Sequence, residues 1–251
     1  MRLRFLLISI LIMLGVANAQ SVCNNEDFEV GNTSGWDGET GNVNTSGVNM
    51  TGAGIVNGRH TIMTGTGVDP IAAGCGVNIP VVCPGGTYSL RLGNSSTGAQ
   101  AESITKVFSV TPQNTFFFYK YAVILNDPSG HSLSEKPRFE VRVYNSIGNV
   151  IPCGEYIVKA MSSIPGFINC GNWRIRDWTS AGIDLSAFLG QTVTIEFLTT
   201  DCTKGGHAGY AYIDASCQDL NLLGSSFCPD SSYVNVTAPD GFDSYVWYSG
   251  E

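Results

Sequence analysis

Two acids, Glu29 and Asp214, hold the positions in this chain that most invite chemistry. Glu29 ends Asn24-Asn25-Glu26-Asp27-Phe28-Glu29, shortly before Ser34-Gly35-Trp36, and Asp214 closes Gly209-Tyr210-Ala211-Tyr212-Ile213-Asp214. Almost nothing between them reads as helix. The two segments are therefore expected to be the neighbouring first and last strands of one β-sandwich, each contributing an acid where they meet. Asp214 lies between apolar neighbours, where a carboxylate without a cation or donors is costly. The plainer alternative is a turn-capping Asp214 and a solvated Glu29.

Aromatic residues offer a second chemistry. Sugars present apolar C–H faces that stack on exposed rings, rimmed by amide and carboxylate hydrogen bonds. Trp36, Trp173, Trp178 and Tyr121 are the candidates, and Asn172-Trp173-Arg174-Ile175-Arg176-Asp177-Trp178 has the mixture such a surface needs, with Arg176 as a polar partner. Sandwich tryptophans more often belong to the core, and Trp36 is expected beneath the first strand.

Cys202-x4-His207 has a zinc-like look, but no second Cys/His pair at finger-like spacing accompanies it. A disulfide-bonded Cys202 beside a hydrogen-bonded loop His207 is the expectation, and His131 and His207 share no catalytic spacing. Gly-x-Ser-x-Gly, His-Glu-x-x-His and a trio of alternating acids are all absent, so the expected role is non-catalytic.

The first nineteen residues read as a cleaved signal: Arg2 and Arg4, an apolar stretch from Phe5 to Val16, then Ala17-Asn18-Ala19. The stretch is too short to span a bilayer comfortably. Export makes disulfides the default for all eight cysteines. Cys75 with Cys83 and Cys153 with Cys170 are the leading pairs, while Cys23 with Cys217 and Cys202 with Cys217 stay open. Without Arg2 and Arg4, 11 of the 13 basic residues face 21 acidic ones, a net charge of −10. Such a chain repels phosphate backbones, which excludes nucleic acid as a partner.

Period-two alternation marks the elements that must hold these residues. It runs through Tyr88, Leu90 and Leu92, through Phe139, Val141 and Val143, and through Val193, Ile195 and Phe197. Phe116 to Leu125 is apolar on both faces apart from Lys120, as expected of a central strand covered on both sides. Ser146 to Asn149 reads as a hairpin connection, Asp184 to Gly190 as one helical turn, and 37–58 as a long surface excursion. The fold class is all-β: a jelly-roll β-sandwich over 20–218, a linker over 219–226, and over 227–251 the start of an immunoglobulin-like (or PKD-like) β-sandwich. So short a piece cannot close a core, and the expectation is that a longer protein continues beyond Glu251.

Asn24 to Trp36 resembles the opening of jelly-roll carbohydrate-binding modules, and Tyr212-Ile213-Asp214 resembles their closing strand. Several further segments together resemble the N-terminal domains of large surface proteins of gliding Bacteroidetes. They are Tyr88 to Asn94, Asp127-Pro128-Ser129-Gly130-His131, Lys136 to Phe139, and Asp201-Cys202 with Gly205-Gly206-His207-Ala208-Gly209-Tyr210. That resemblance implies immunoglobulin-like or PKD-like repeats behind the module, gliding motility and type IX secretion. It also implies a structural calcium held by Glu29 and Asp214, a hard cation that takes about six to eight oxygens. The expected protein is secreted, attached to the cell surface and monomeric as a module, with no membrane insertion after signal cleavage. It would serve adhesion by binding a glycan or an extracellular protein. The alternatives are an accessory module of a secreted hydrolase and a ligand-free structural tip.

Overall fold

The computed structural model describes residues 24–218, together with two paired two-residue strands at 223–224 and 236–237. The expected signal at 1–19 lies outside the described residues, as do the expected linker and immunoglobulin-like start apart from those two strands. Twelve strands build the sandwich: β1 (Asp37–Asn44), β2 (Gly47–Ala53), β3 (His60–Thr64), β4 (Tyr88–Leu92), β5 (Gln100–Ser109), β6 (Phe116–Asn126), β7 (Arg138–Asn145), β8 (Val150–Lys159), β9 (Ile168–Cys170), β10 (Trp173–Asp184), β11 (Thr192–Thr200) and β12 (Gly209–Gln218). One six-stranded sheet runs β2-β1-β5-β11-β7-β8 and the other β3-β4-β12-β6-β10-β9. Every pairing is antiparallel, the jelly-roll arrangement that two sheets closing on one core require.

The alternating strands behave as their pattern dictates. Leu90 and Leu92, Phe139, Val141 and Val143, and Val193, Ile195 and Phe197 all turn into the space between the sheets. They meet Phe117, Tyr119, Tyr121, Val123 and Leu125 of β6, the inward row of a strand flanked by β12 and β10. The outward row of β6 is apolar too, because a second cluster covers it. Ala122 and Ile124 pack there with Ile175, Tyr210, Tyr212 and residues 72–82.

That cover is a 65–86 excursion with one short helix, α1 (Pro70–Gly74), which the sequence reading did not anticipate. Asp69 caps it, accepting the Ala72 N–H at 2.8 Å, and Pro70 starts it, where its missing N–H costs nothing. The same fully buried Asp69 carboxylate accepts the hydroxyls of Tyr210 at 2.8 Å and Tyr212 at 2.9 Å. One acid thus both starts the helix and fastens it to β12. A disulfide between Cys75 and Cys170 ties the excursion to the edge strand β9.

This bond corrects the cysteine expectations. Cys75 does not pair with Cys83, and Cys170 does not pair with Cys153; Cys83 and Cys202 are free and buried. Proximity in sequence favoured short loops, but the fold brings the excursion over β9 instead. The 37–58 stretch is also corrected. It forms the β1–β2 hairpin at a sheet edge, where Gly, Asn and Thr suffice and the apolar alternation fades. The single turn near 186 is a 3-10 turn, Ser186–Phe188.

Candidate functional site

The segment before β1 is not a strand. Residues 24–36 form consecutive turns whose shape is set by side chains. The Asn25 amide donates to the carbonyls of Asn32 and Ser34 at 2.9 and 3.1 Å, and the Trp36 indole N–H donates to the Asn25 carbonyl at 2.9 Å. Trp36 is a core residue, stacked on Phe28 with ring centroids 5.2 Å apart. The picture of Glu29 and Asp214 on neighbouring first and last strands is therefore corrected: β1 belongs to the other sheet from β12. The turns nevertheless carry Glu29 across the sandwich rim to Asp214.

Asp214 lies on the outward face of β12, in the same row as Tyr210 and Tyr212 and in register with Lys120 of β6. It lines a cavity of about 360 Å³ with Asp27, Glu29, Gly86, Phe118 and Lys120. The Glu29 carboxylate is oriented by the N–H groups of Thr87 at 2.7 Å and Tyr88 at 3.1 Å. Gly86 sits between the two acids. A Cβ there would stand 2.8 Å from Glu29 Oε1 and 3.5 Å from Asp214 Oδ2, so a glycine keeps that space open. Burial pushes the Asp214 carboxyl up to about 7, against the pull of the Cys83 S–H, and the charges of Asp27 and Glu29 add to the rise. The Cys83 thiol is itself pushed up to about 12, by burial and by the Asp214 charge, so it stays a proton donor at neutral pH. The carboxylates of Asp27, Glu29 and Asp214 thus line one cavity.

The four residues expected to bind ligand divide between two faces. Trp173 and Ile175 point outward by strand alternation. Between Arg176 and Thr179 the β10–β6 register shifts, so the strand carries a bulge, and Trp178 joins the same outward cluster. Trp178 is half-buried, its indole N–H donating to the Pro80 carbonyl at 2.8 Å, its ring 6.4 Å from that of Tyr212. Trp173 is half-buried likewise, with Asn172 exposed beside it.

Tyr121 and Arg176 are elsewhere. Tyr121 is 4% exposed, stacked on Phe139 at 5.4 Å in the core between the sheets, so its expected place in a binding surface is corrected. An uninterrupted apolar run does not say which rings face which way, and odd positions of β6 face inward. Arg176 lies against the Phe167 ring at 5.8 Å and bonds the Pro165 carbonyl and the Thr179 hydroxyl, all away from the tryptophans. Its guanidinium fastens the 161–167 loop.

One cluster gains a member that the spacing of Cys202 and His207 did not reveal. His131, Cys202 and His207 offer ligand atoms within 4.8 Å of one another, although 71 positions separate the first two in the chain. The expected disulfide at Cys202 is corrected by its free thiol. The signal was present in the sequence, because the β6–β7 and β11–β12 loops each carry a histidine, but only the fold places them side by side.

No protein-family model matches the chain, and no curated protein matches it. Solved structures similar to it include TmCBM61 in complex with β-1,4-galactotriose, at 9% identity over 78% of this chain and 95% of that one, with a TM-score of 0.43. A family 11 carbohydrate-binding module from Clostridium thermocellum, in complex with a β-1,3-1,4-mixed-linked tetrasaccharide, is 10% identical over 78% and 94%, TM-score 0.32. The enzymatically active domain of a bacteriophage tailspike protein is 12% identical over 78% of this chain and 21% of its own, TM-score 0.39. At these scores the likenesses bear on neither a ligand nor the role of any residue.

Proposed function

We propose that the sandwich is a non-catalytic recognition module, exported and displayed at a cell surface, that binds glycans on the outward face of its second sheet. One observation supports this reading above others: the β10 bulge turns Trp178 to the same face as Trp173. Five strand residues, one of them lost to the bulge, place the two tryptophan backbones roughly 13 Å apart along the strand, with both side chains on its outward face. Each keeps part of its ring in solvent while its remainder is packed, so neither pays much ordering cost on binding a sugar face. Exposed Asn172 and Asp177 flank them with amide and carboxylate groups for hydroxyls. Glycan-array binding of the whole chain, with and without calcium, tests the reading; silence from folded protein rejects it.

A calcium ion at the rim is the second part of the proposal. Glu29 and Asp214 would hold it, with Asp27 close enough to contribute charge, and Gly86 leaves the space beside both carboxylates free of a side chain. The ion would supply counter-charge to the carboxylates gathered there and tie the 24–36 turns to β12. Its role is structural, since the tryptophans stand farther along the sheet.

A further inference from the structure

We propose that Cys202, His131 and His207 form a binding site for a late first-row metal ion, zinc above all, that staples the β6–β7 loop to the β11–β12 loop. The inference rests on how each ligand atom is prepared. His131 Nδ1 lies 3.2 Å from the Ser129 carbonyl, an acceptor only, so Nδ1 carries the proton and Nε2 carries the lone pair. That Nε2 is buried and has no hydrogen-bond partner among the described residues. A buried, unpartnered imidazole nitrogen whose other nitrogen is fixed by a backbone carbonyl is the arrangement a metal-ligating histidine needs.

Cys202 is prepared from the other side. Cys202 N–H donates to the His207 carbonyl at 2.9 Å, and Gly205 N–H donates to the Cys202 carbonyl at 3.0 Å. This tight turn, permitted by Gly205 at φ +71°, aims the Gly206 N–H at Sγ, 3.3 Å away. That N–H fixes the direction in which the sulfur points, as an outer-shell partner of a metal ligand does. His207 Nδ1 stands 3.4 Å from Sγ. Two ligands on one tetrahedral zinc, at Zn–S of about 2.3 Å and Zn–N of about 2.05 Å, would be about 3.6 Å apart. The two atoms already have nearly the spacing that a shared ion imposes, and the His131 ring meets that of His207 edge-on at 5.1 Å.

The loops are also held from outside the cluster. Asp127, at the head of the His131 loop, is paired with Arg174 at 2.8 Å and with Lys136. Lys204 pairs with Glu135 at 3.3 Å, bridging the two loops at the surface. A soft thiolate with two imidazoles selects zinc or its neighbours over calcium, so this site and the carboxylate rim take different ions. Binding displaces the thiol proton to solvent, and three protein ligands leave a fourth position for water. Among the described residues Cys83 is also free, but its thiol donates to the Pro84 carbonyl at 3.8 Å and it joins no cluster of metal-ligating side chains, which sets Cys202 apart.

The test is zinc titration of the whole chain against a chromogenic chelator, paired with cobalt substitution read by absorbance. One tightly held ion per chain is expected, with a thiolate-to-cobalt charge-transfer band. His131→Gln and His207→Gln should each weaken zinc binding at least as much as loss of an outer-shell partner, about 10–100-fold, and Cys202→Ser should abolish the band. Because Cys202 is fully buried, the two histidine variants carry the test should Cys202→Ser fail to fold. Folded protein that binds no zinc, cobalt bound without a thiolate band, or histidine variants of unchanged affinity would each overturn the proposal.

Discussion

The Cys75–Cys170 disulfide gives a prediction whose size follows from topology. It joins residues 95 apart, so breaking it releases a long loop in the unfolded chain. Chain-entropy bookkeeping for a loop of that length gives about 4–5 kcal/mol, near the top of the roughly 2–5 kcal/mol that native disulfides contribute. For a domain of this size one kcal/mol corresponds to about 2–4 °C in Tm, so the Cys75→Ser/Cys170→Ser double variant should melt roughly 10–18 °C lower. The contrast with the short pairing is what makes the number useful. A Cys75–Cys83 bond would close only a small loop and contribute about 2.5 kcal/mol by the same relation. The bond also holds the excursion that carries Pro80 against Trp178, so the variant's tryptophan emission should shift to the red before global unfolding. Scanning calorimetry of the oxidised protein and non-reducing peptide mapping measure both parts. A Tm change below about 2 °C, or a mapped Cys75–Cys83 peptide, would refute the reasoning.

Three further outcomes follow from the buried groups. Burial outweighs the Arg59 ion pair and lifts the Glu102 carboxyl from 4.5 to about 7, so the folded form holds a proton that the unfolded form has released. Its contribution is complete below pH 4.5 and lost as pH rises through 7, about 3 kcal/mol in all, so Glu102→Gln should flatten the fall in urea-measured stability between pH 5 and 8. An unchanged slope in the variant would contradict this assignment. Calcium added to chelator-treated protein should raise Tm in the wild type and leave Asp214→Asn unmoved, and a response in neither rejects the rim site. Trp178→Ala should cost about 2 kcal/mol in chemical denaturation, less than a fully buried tryptophan because part of the ring is in solvent, while Trp178→Phe should recover most of it; equal losses in the two would show that packing is not what the indole contributes.

What the sequence made legible was the part governed by local periodicity. β4, β7 and β11 announce themselves through alternation, and β6 through an apolar run too rich in phenylalanine to be a surface element. The edge hairpin β1–β2 was hidden because an edge exposed on most sides has no need of an apolar stripe. The meeting of Glu29 with Asp214 was foreseen, but through a strand pairing that does not exist; side-chain turns centred on Asn25 do the carrying. Tyr121 and Trp178, expected on one binding surface, lie on opposite faces of their sheet. Strand parity hides which face a ring takes, and a bulge reverses parity without any glycine or proline to announce it. The His131–Cys202–His207 cluster depends on a contact across loops far apart in the chain, which spacing alone does not encode.

The central claim is that a glycan lies along the ridge of Trp173 and Trp178, and titration of an array-identified oligosaccharide into the wild type, Trp173→Ala and Trp178→Phe tests it most directly. The account predicts saturable binding that Trp173→Ala abolishes and Trp178→Phe weakens while both variants keep their fold. Binding of the same strength in all three, or none by the folded wild type to any glycan, would contradict it.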